Sequence, residues 1–117
     1  MSVTLDQIRA VNTAVNALPY MKELQDDWRP IDQWGGDCDS YASRKALELF
    51  NLGMPAADMR FATCKDETGG DHCVLLVEFD GATLVLDNRH PLPMAYSLLP
   101  YTWVKLQIAG TDQFEWA

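Results

Sequence analysis

Apolar residues at Leu5, Ile8, Val11, Val15 and Leu18 recur at helical spacing, and Thr4-Leu5-Asp6-Gln7 ahead of them is spaced as a capping box. The pattern predicts a helix over residues 4–18. A second stripe begins at Cys38 and continues through Tyr41, Ala42, Ala46, Leu49 and Phe50, with Asp39, Ser43, Arg44, Glu48 and Asn51 mainly on the other side. Gly53 and Pro55 terminate this second helix. Between the two helices, residues 19–36 hold Trp28, Pro30 and Trp34 and follow no period, so irregular chain or short turns are expected there.

Beyond residue 59 the period changes to that of strands. Residues 60–65 and 101–108 are candidate strands, residues 72–79 and 82–88 are rich in Val and Leu, and the tail QFEWA offers a short fifth strand. Asp80-Gly81 separates the second and third runs, and both residue types tolerate positive φ, so the pair predicts a two-residue hairpin loop. A Pro-rich loop is expected around His90 to Pro93. Helices first and antiparallel strands after is the order of an α+β fold.

The hairpin carries a geometric consequence. A two-residue loop pairs Phe79 with Ala82, which sets Val74 opposite Asp87 and His72 opposite Arg89. These four residues then share one face of the sheet. His72 and Asp87 become diagonal neighbours, about 7–8 Å apart at the backbone, within the reach of their side chains. A three-residue loop would send them to opposite faces.

With 117 residues, 48% of them hydrophobic, the chain is expected to form one domain over residues 1–117. Its 17 acidic and 9 basic residues give a net charge of −8, which argues against binding nucleic acid or an anionic membrane. No apolar run is long enough to insert into a bilayer, and the first ten residues lack the features of a signal peptide, so a cytoplasmic location is expected unless an export signal has been removed. Three cysteines without a C-x-x-C pair argue for reduced thiols rather than a disulfide framework.

Cys38 stands apart from the other two. It follows Gly35-Gly36-Asp37 and opens a helix, where unpaired N–H groups and the helix dipole favour thiolate over thiol. Its backbone N–H is also placed to donate to an oxyanion, and the glycines permit a substrate backbone to approach closely. A histidine oriented by a carboxylate is the partner such a thiol requires, because the imidazole accepts the thiol proton and the acid fixes its tautomer. His72 and Asp87 supply that pair. Asp37 and Asp39 oppose thiolate formation by like-charge repulsion, unless they cap backbone donors, point to solvent or hold a cation.

Gly-Gly-Asp-Cys-Asp, then Asp-His-Cys-Val-Leu, then Leu-Val-Leu-Asp-Asn resemble, in that order, the bacterial transglutaminase-like cysteine peptidases. Val11-Asn12 and Val15-Asn16 match a paired Val-Asn repeat of that family, and Trp28, Pro30 and Asp32 follow its Trp-Pro-acid segment more loosely. The resemblance implies a papain-like, transglutaminase-type α+β fold and a Cys38–His72–Asp87 triad. Better-known members are periplasmic proteases that release biofilm adhesins and bind calcium beside the nucleophile. Such members carry two acids after the cysteine, where this chain has Asp39 and then Ser40. Asp37 and Asp39 remain as calcium ligands, although calcium takes about 6–8 oxygens. The adhesin role does not carry over to so short a chain; a periplasmic or a phage-borne, pared-down member would fit.

The expected activity is therefore that of a cysteine peptidase or amidase acting on a protein or peptide through a thioester, with no cofactor required for the chemistry. Gln33, Trp34 and Gly36 are the expected oxyanion and substrate-binding residues. Transamidation differs only in the acceptor of the second step, and a catalytically silent peptide-binding module of the same fold is the rival from another class. A zinc site from Cys64, His72 and Cys73 lacks a fourth ligand and standard spacing, so Cys64 and Cys73 are expected to be inert.

Overall fold

The computed structural model describes residues 3–17 and 38–117, with side-chain surroundings from Tyr41 onward in the second span. Helix α1 runs over Leu5–Asn16 and α2 over Cys38–Asn51. Strands follow as β1 (Met59–Lys65), β2 (Asp71–Phe79), β3 (Ala82–Leu86), β4 (Met94–Ala95), β5 (Thr102–Gln107) and β6 (Phe114–Trp116). Among the described residues these strands make one antiparallel sheet in the order β4-β3-β2-β1-β5-β6. The protein is α+β, with two helices packed on the sheet.

The start of α1 has the expected chemistry. The Thr4 hydroxyl accepts from the Gln7 N–H at 3.2 Å, and the Gln7 side chain returns a bond from the Thr4 N–H at 2.9 Å, which closes the capping box. Ile8, Val11 and Val15 are buried as the period requires, whereas Leu5 in the first turn is largely exposed. Leu18 lies outside the described residues. Helix α2 begins at Cys38, and Gly53, at φ 109°, follows its end.

Phe50 departs from the expected stripe, being 57% exposed. From Tyr41 onward, Ala42, Lys45 and Leu49 are the residues of α2 that bury fully. Successive helical residues are turned about 100° apart, so Leu49 and Phe50 cannot both point at the centre of the core. Phe50 instead borders a surface groove with Ala46, Leu47, Met59, Phe61 and Leu75.

The β2–β3 hairpin has the predicted register. Asp80 and Gly81 take φ values of 52° and 79°, and the pairs run from Phe79↔Ala82 to Leu75↔Leu86. Alternation along β2 then divides the core. Leu75 and Val77 join Leu86, α1 and α2 in one apolar cluster. Val74 and Leu76 join Ala62, Cys64, Val85, Leu99 and Tyr101 in a second. The two-residue β4 was not expected within the Pro-rich connection; so short a strand has no alternation to read.

Candidate active site

The candidate site forms where β2 begins and β3 ends. His72 is the second residue of β2, and Asp87 directly follows β3. Both are buried, His72 at 8% exposure and Asp87 at 0%. His72 Nε2 lies 2.7 Å from Asp87 Oδ1, so the neighbours deduced from the hairpin are hydrogen-bonded. The Arg89 N–H donates to the same oxygen at 2.9 Å.

The other carboxylate oxygen is also engaged. Tyr101, just ahead of β5, donates its hydroxyl to Asp87 Oδ2 at 2.5 Å. Its ring meets the His72 ring edge-on, with centroids 5.8 Å apart and planes at 85°. His90 Nε2 stands 3.3 Å from the Tyr101 oxygen and 3.9 Å from Asp87 Oδ2. Burial drives the Asp87 carboxyl upward, but the hydrogen bonds from His72, Tyr101 and Arg89, with the charge of His72, outweigh it and hold the carboxyl below its usual range. Burial and the bond to Asp87 push the Tyr101 phenol well above its ordinary value, so it stays protonated and remains a donor.

Helix α1 fixes the main chain around Asp87. The Asn16 amide donates to the carbonyls of Asp87 at 3.1 Å and His90 at 3.0 Å. The Asn12 amide donates to the carbonyls of His90 at 3.2 Å and Pro91 at 3.1 Å. The Val-Asn repeat thus has a physical meaning: the valines enter the core, and the asparagines hold the loop that carries the carboxylate. From the other side, the Arg89 guanidinium bonds Glu67 through two nitrogens, each at 3.0 Å, and Asp66 at 3.2 Å. This ties the β1–β2 loop to the same segment.

The remaining expected residues divide into two groups. Cys38 and Asp39 open α2, but their side chains lie outside those described. Gln33, Trp34, Gly36 and Asp37 lie outside the described residues altogether. Cys64 and Cys73 are both buried, and among the described residues no three His, Cys, Asp or Glu side chains gather as metal ligands. Cys64 faces His72 across the β1–β2 pairing, whereas Cys73 follows the opposite parity. Tyr101 was missed by sequence reasoning, which treated it only as the start of a strand. So was Lys45, a fully buried lysine on α2.

Two helices on an antiparallel sheet, with a histidine and its carboxylate at the ends of adjoining strands, is the architecture of the transglutaminase-type cysteine peptidases. The chain belongs to one family of that class, the bacterial transglutaminase-like cysteine proteinases, whose model matches residues 2–117. It is similar to Legionella pneumophila LapG in the calcium-bound form, with TM-score 0.75, 23% identity, and coverage of 96% of this chain and 68% of that one. The EGTA-treated form gives TM-score 0.73 and 23% identity over 96% of this chain and 66% of that one. At these identities the likeness speaks to the fold. No curated protein matches the chain. The protein is a cysteine peptidase, and its substrates are proteins or peptides. No helix among the described residues is long and apolar enough to cross a membrane.

Proposed function

We propose that the protein cleaves peptide or amide bonds by acyl transfer through a thioester on Cys38, with His72 as base and acid and Asp87 as its orienting partner. The observation that carries this reading is the buried 2.7 Å bond between His72 and Asp87. It commits Nε2 to the carboxylate and makes Nδ1 the nitrogen that exchanges protons with the thiol. The direction of α2 supports the assignment. Its last turns border Met59, Phe61 and Leu75, and Asp87 exerts its charge on Lys45, nearer the helix start. Cys38 lies two turns beyond Lys45, about 10 Å along the helix axis.

In this mechanism His72 accepts the thiol proton and the thiolate adds to the substrate carbonyl. The backbone N–H of Cys38 and the Gln33 amide donate to the oxyanion. The imidazolium then passes its proton to the departing amine as the C–N bond breaks. His72 next takes a proton from water as the oxygen attacks the thioester; the C–S bond then breaks, releasing the carboxylic acid, and the imidazolium returns its proton to sulfur. Trp34 and Gly36 border the substrate in this reading.

Calcium enters none of these steps. Asp37 and Asp39 offer two carboxylates where calcium ordinarily takes about 6–8 oxygens, and Ser40 occupies the position of a further acid. The LapG structures are described as calcium-bound and EGTA-treated, which makes the ion a property to test in this chain.

Trapping with a peptide-like electrophile tests the reading. An adduct mapped to Cys38 by mass spectrometry is expected. Labelling confined to Cys64 or Cys73, or none at all, would overturn it.

A further inference from the structure

His72 and Asp87 sit beyond the end of the ladder that joins their strands. The last β2–β3 pair is Leu75↔Leu86, with His72 three residues before Leu75 and Asp87 one residue after Leu86. His72 is registered instead against Cys64 of β1, and the Asp87 segment is held by Asn16 of α1. Base and carboxylate are thus anchored to different elements, and their spacing depends on side chains that bridge the gap.

Arg89 spans that gap. Its main-chain N–H donates to Asp87 Oδ1 at 2.9 Å. Its guanidinium reaches across to the loop that leads into β2, meeting Glu67 with two bonds of 3.0 Å and Asp66 with one of 3.2 Å. The loop is built to receive it. Asp66 Oδ1 accepts from the Thr68 N–H at 2.9 Å, the Thr68 hydroxyl at 2.7 Å and the Gly70 N–H at 2.9 Å, which leaves Oδ2 for Arg89. Lys65 and Asp71 pair across its neck, one residue from His72. An ion pair this open, with the Arg89 side chain 35% and Glu67 47% exposed, adds little to stability. Its two-pronged geometry nevertheless fixes orientation.

We propose that Arg89 is a positioning residue for the peptidase reaction: by gripping Glu67 and Asp66 it locks the loop that leads into His72 onto the segment that carries Asp87, and so sets base against carboxylate. The inference rests on the triad reading above. Small misplacements of a catalytic pair are costly to rate, whereas a surface clamp is cheap to lose in stability, so the two effects separate.

Inactivation by a peptidyl chloromethyl ketone without charged side chains, followed on Cys38 by mass spectrometry, provides the test. Arg89→Gln and Glu67→Gln should each lower the maximal inactivation rate about fivefold or more, with the half-saturating concentration unchanged and the melting temperature within a few degrees of wild type. Arg89→Lys, which keeps the charge and loses the fork, should fall between. The double variant should be no slower than either single one, because both remove the same clamp. Salt near 1 M, where the Debye length is about 3 Å, should slow the wild type and leave Arg89→Gln unchanged. An unchanged rate in Arg89→Gln, a loss that follows the folded fraction, or a change confined to the half-saturating concentration would overturn the positioning role and leave the triad standing. Absence of a Cys38 adduct in the wild type would overturn both.

Discussion

Tyr101 and His72 grip opposite oxygens of one carboxylate: the phenol lies 2.5 Å from Asp87 Oδ2 and the imidazole 2.7 Å from Oδ1. Each bond weakens the oxygen's appetite for a proton, and together they keep a fully buried acid ionised. Tyr101→Phe should destabilise the fold by about 1–3 kcal/mol, because one oxygen of a buried anion loses its donor. The Asp87 carboxyl sits below its unfolded value, so its contribution to stability is present above the ordinary carboxylate range and is lost as pH falls through the folded value. Removing the phenol raises that folded value. Acid unfolding of Tyr101→Phe, followed by circular dichroism, should begin at higher pH than in the wild type; coincident curves would mean that the hydroxyl contributes nothing.

The asparagines of α1 predict a different signature. Asn16→Ala leaves the Asp87 carbonyl without its side-chain donor and the His90 carbonyl with that of Asn12 alone. A loss of about 1–3 kcal/mol in urea unfolding is expected. Activity should fall further than the folded fraction explains, since the loop that aims Asp87 loses an anchor. Asn16→Asp, which cannot donate when ionised, should be at least as harmful.

Lys45 makes stability depend on pH in the opposite sense from a salt bridge. Its folded value, about 8, lies below the 10.5 of the unfolded chain, so between these values the unfolded state binds more protons and stability rises with pH. The full penalty, of order 3 kcal/mol, applies below pH 8. Lys45→Met should therefore be more stable than the wild type at pH 7, and the gap should narrow toward pH 10.5. Paired urea melts at the two pH values measure it directly.

Cys38→Ala should abolish turnover while shifting the unfolding free energy by less than about 1 kcal/mol, as small residues are well tolerated at a helix start. Surviving peptidase activity in that variant would remove the thiol from the mechanism.

Chelation addresses the acids around Cys38. With two carboxylates and a serine in place of a further acid, EGTA should leave peptidase activity within about twofold, and added calcium should not raise the melting temperature. A melt that climbs with calcium concentration would show that Asp37 and Asp39 find additional oxygen ligands.

Local signals were readable from the chain. The capping box at Thr4, the Asp80-Gly81 turn and the alternation of β2 each depend on residues close in sequence, and the turn alone carried His72 to Asp87. What escaped depended on distant partners. Nothing near Tyr101 reveals that its hydroxyl meets an acid fourteen residues earlier. Lys45 sits in a stretch that reads equally well with its charge in water, and only the folded structure shows it buried. Phe50 illustrates the reverse error, where an apolar residue at the edge of a stripe was credited to the core and lies instead on a groove.

The asparagine clamps join residues 71 to 79 positions apart in the chain. Contacts of such long range cannot form until the hairpin has emerged and folded back on the first helix. On the proposed triad, a polypeptide still leaving the ribosome would own a thiol but no aligned base, and so could not attack its neighbours. Proteolytic competence would then arrive last, as a by-product of completed folding.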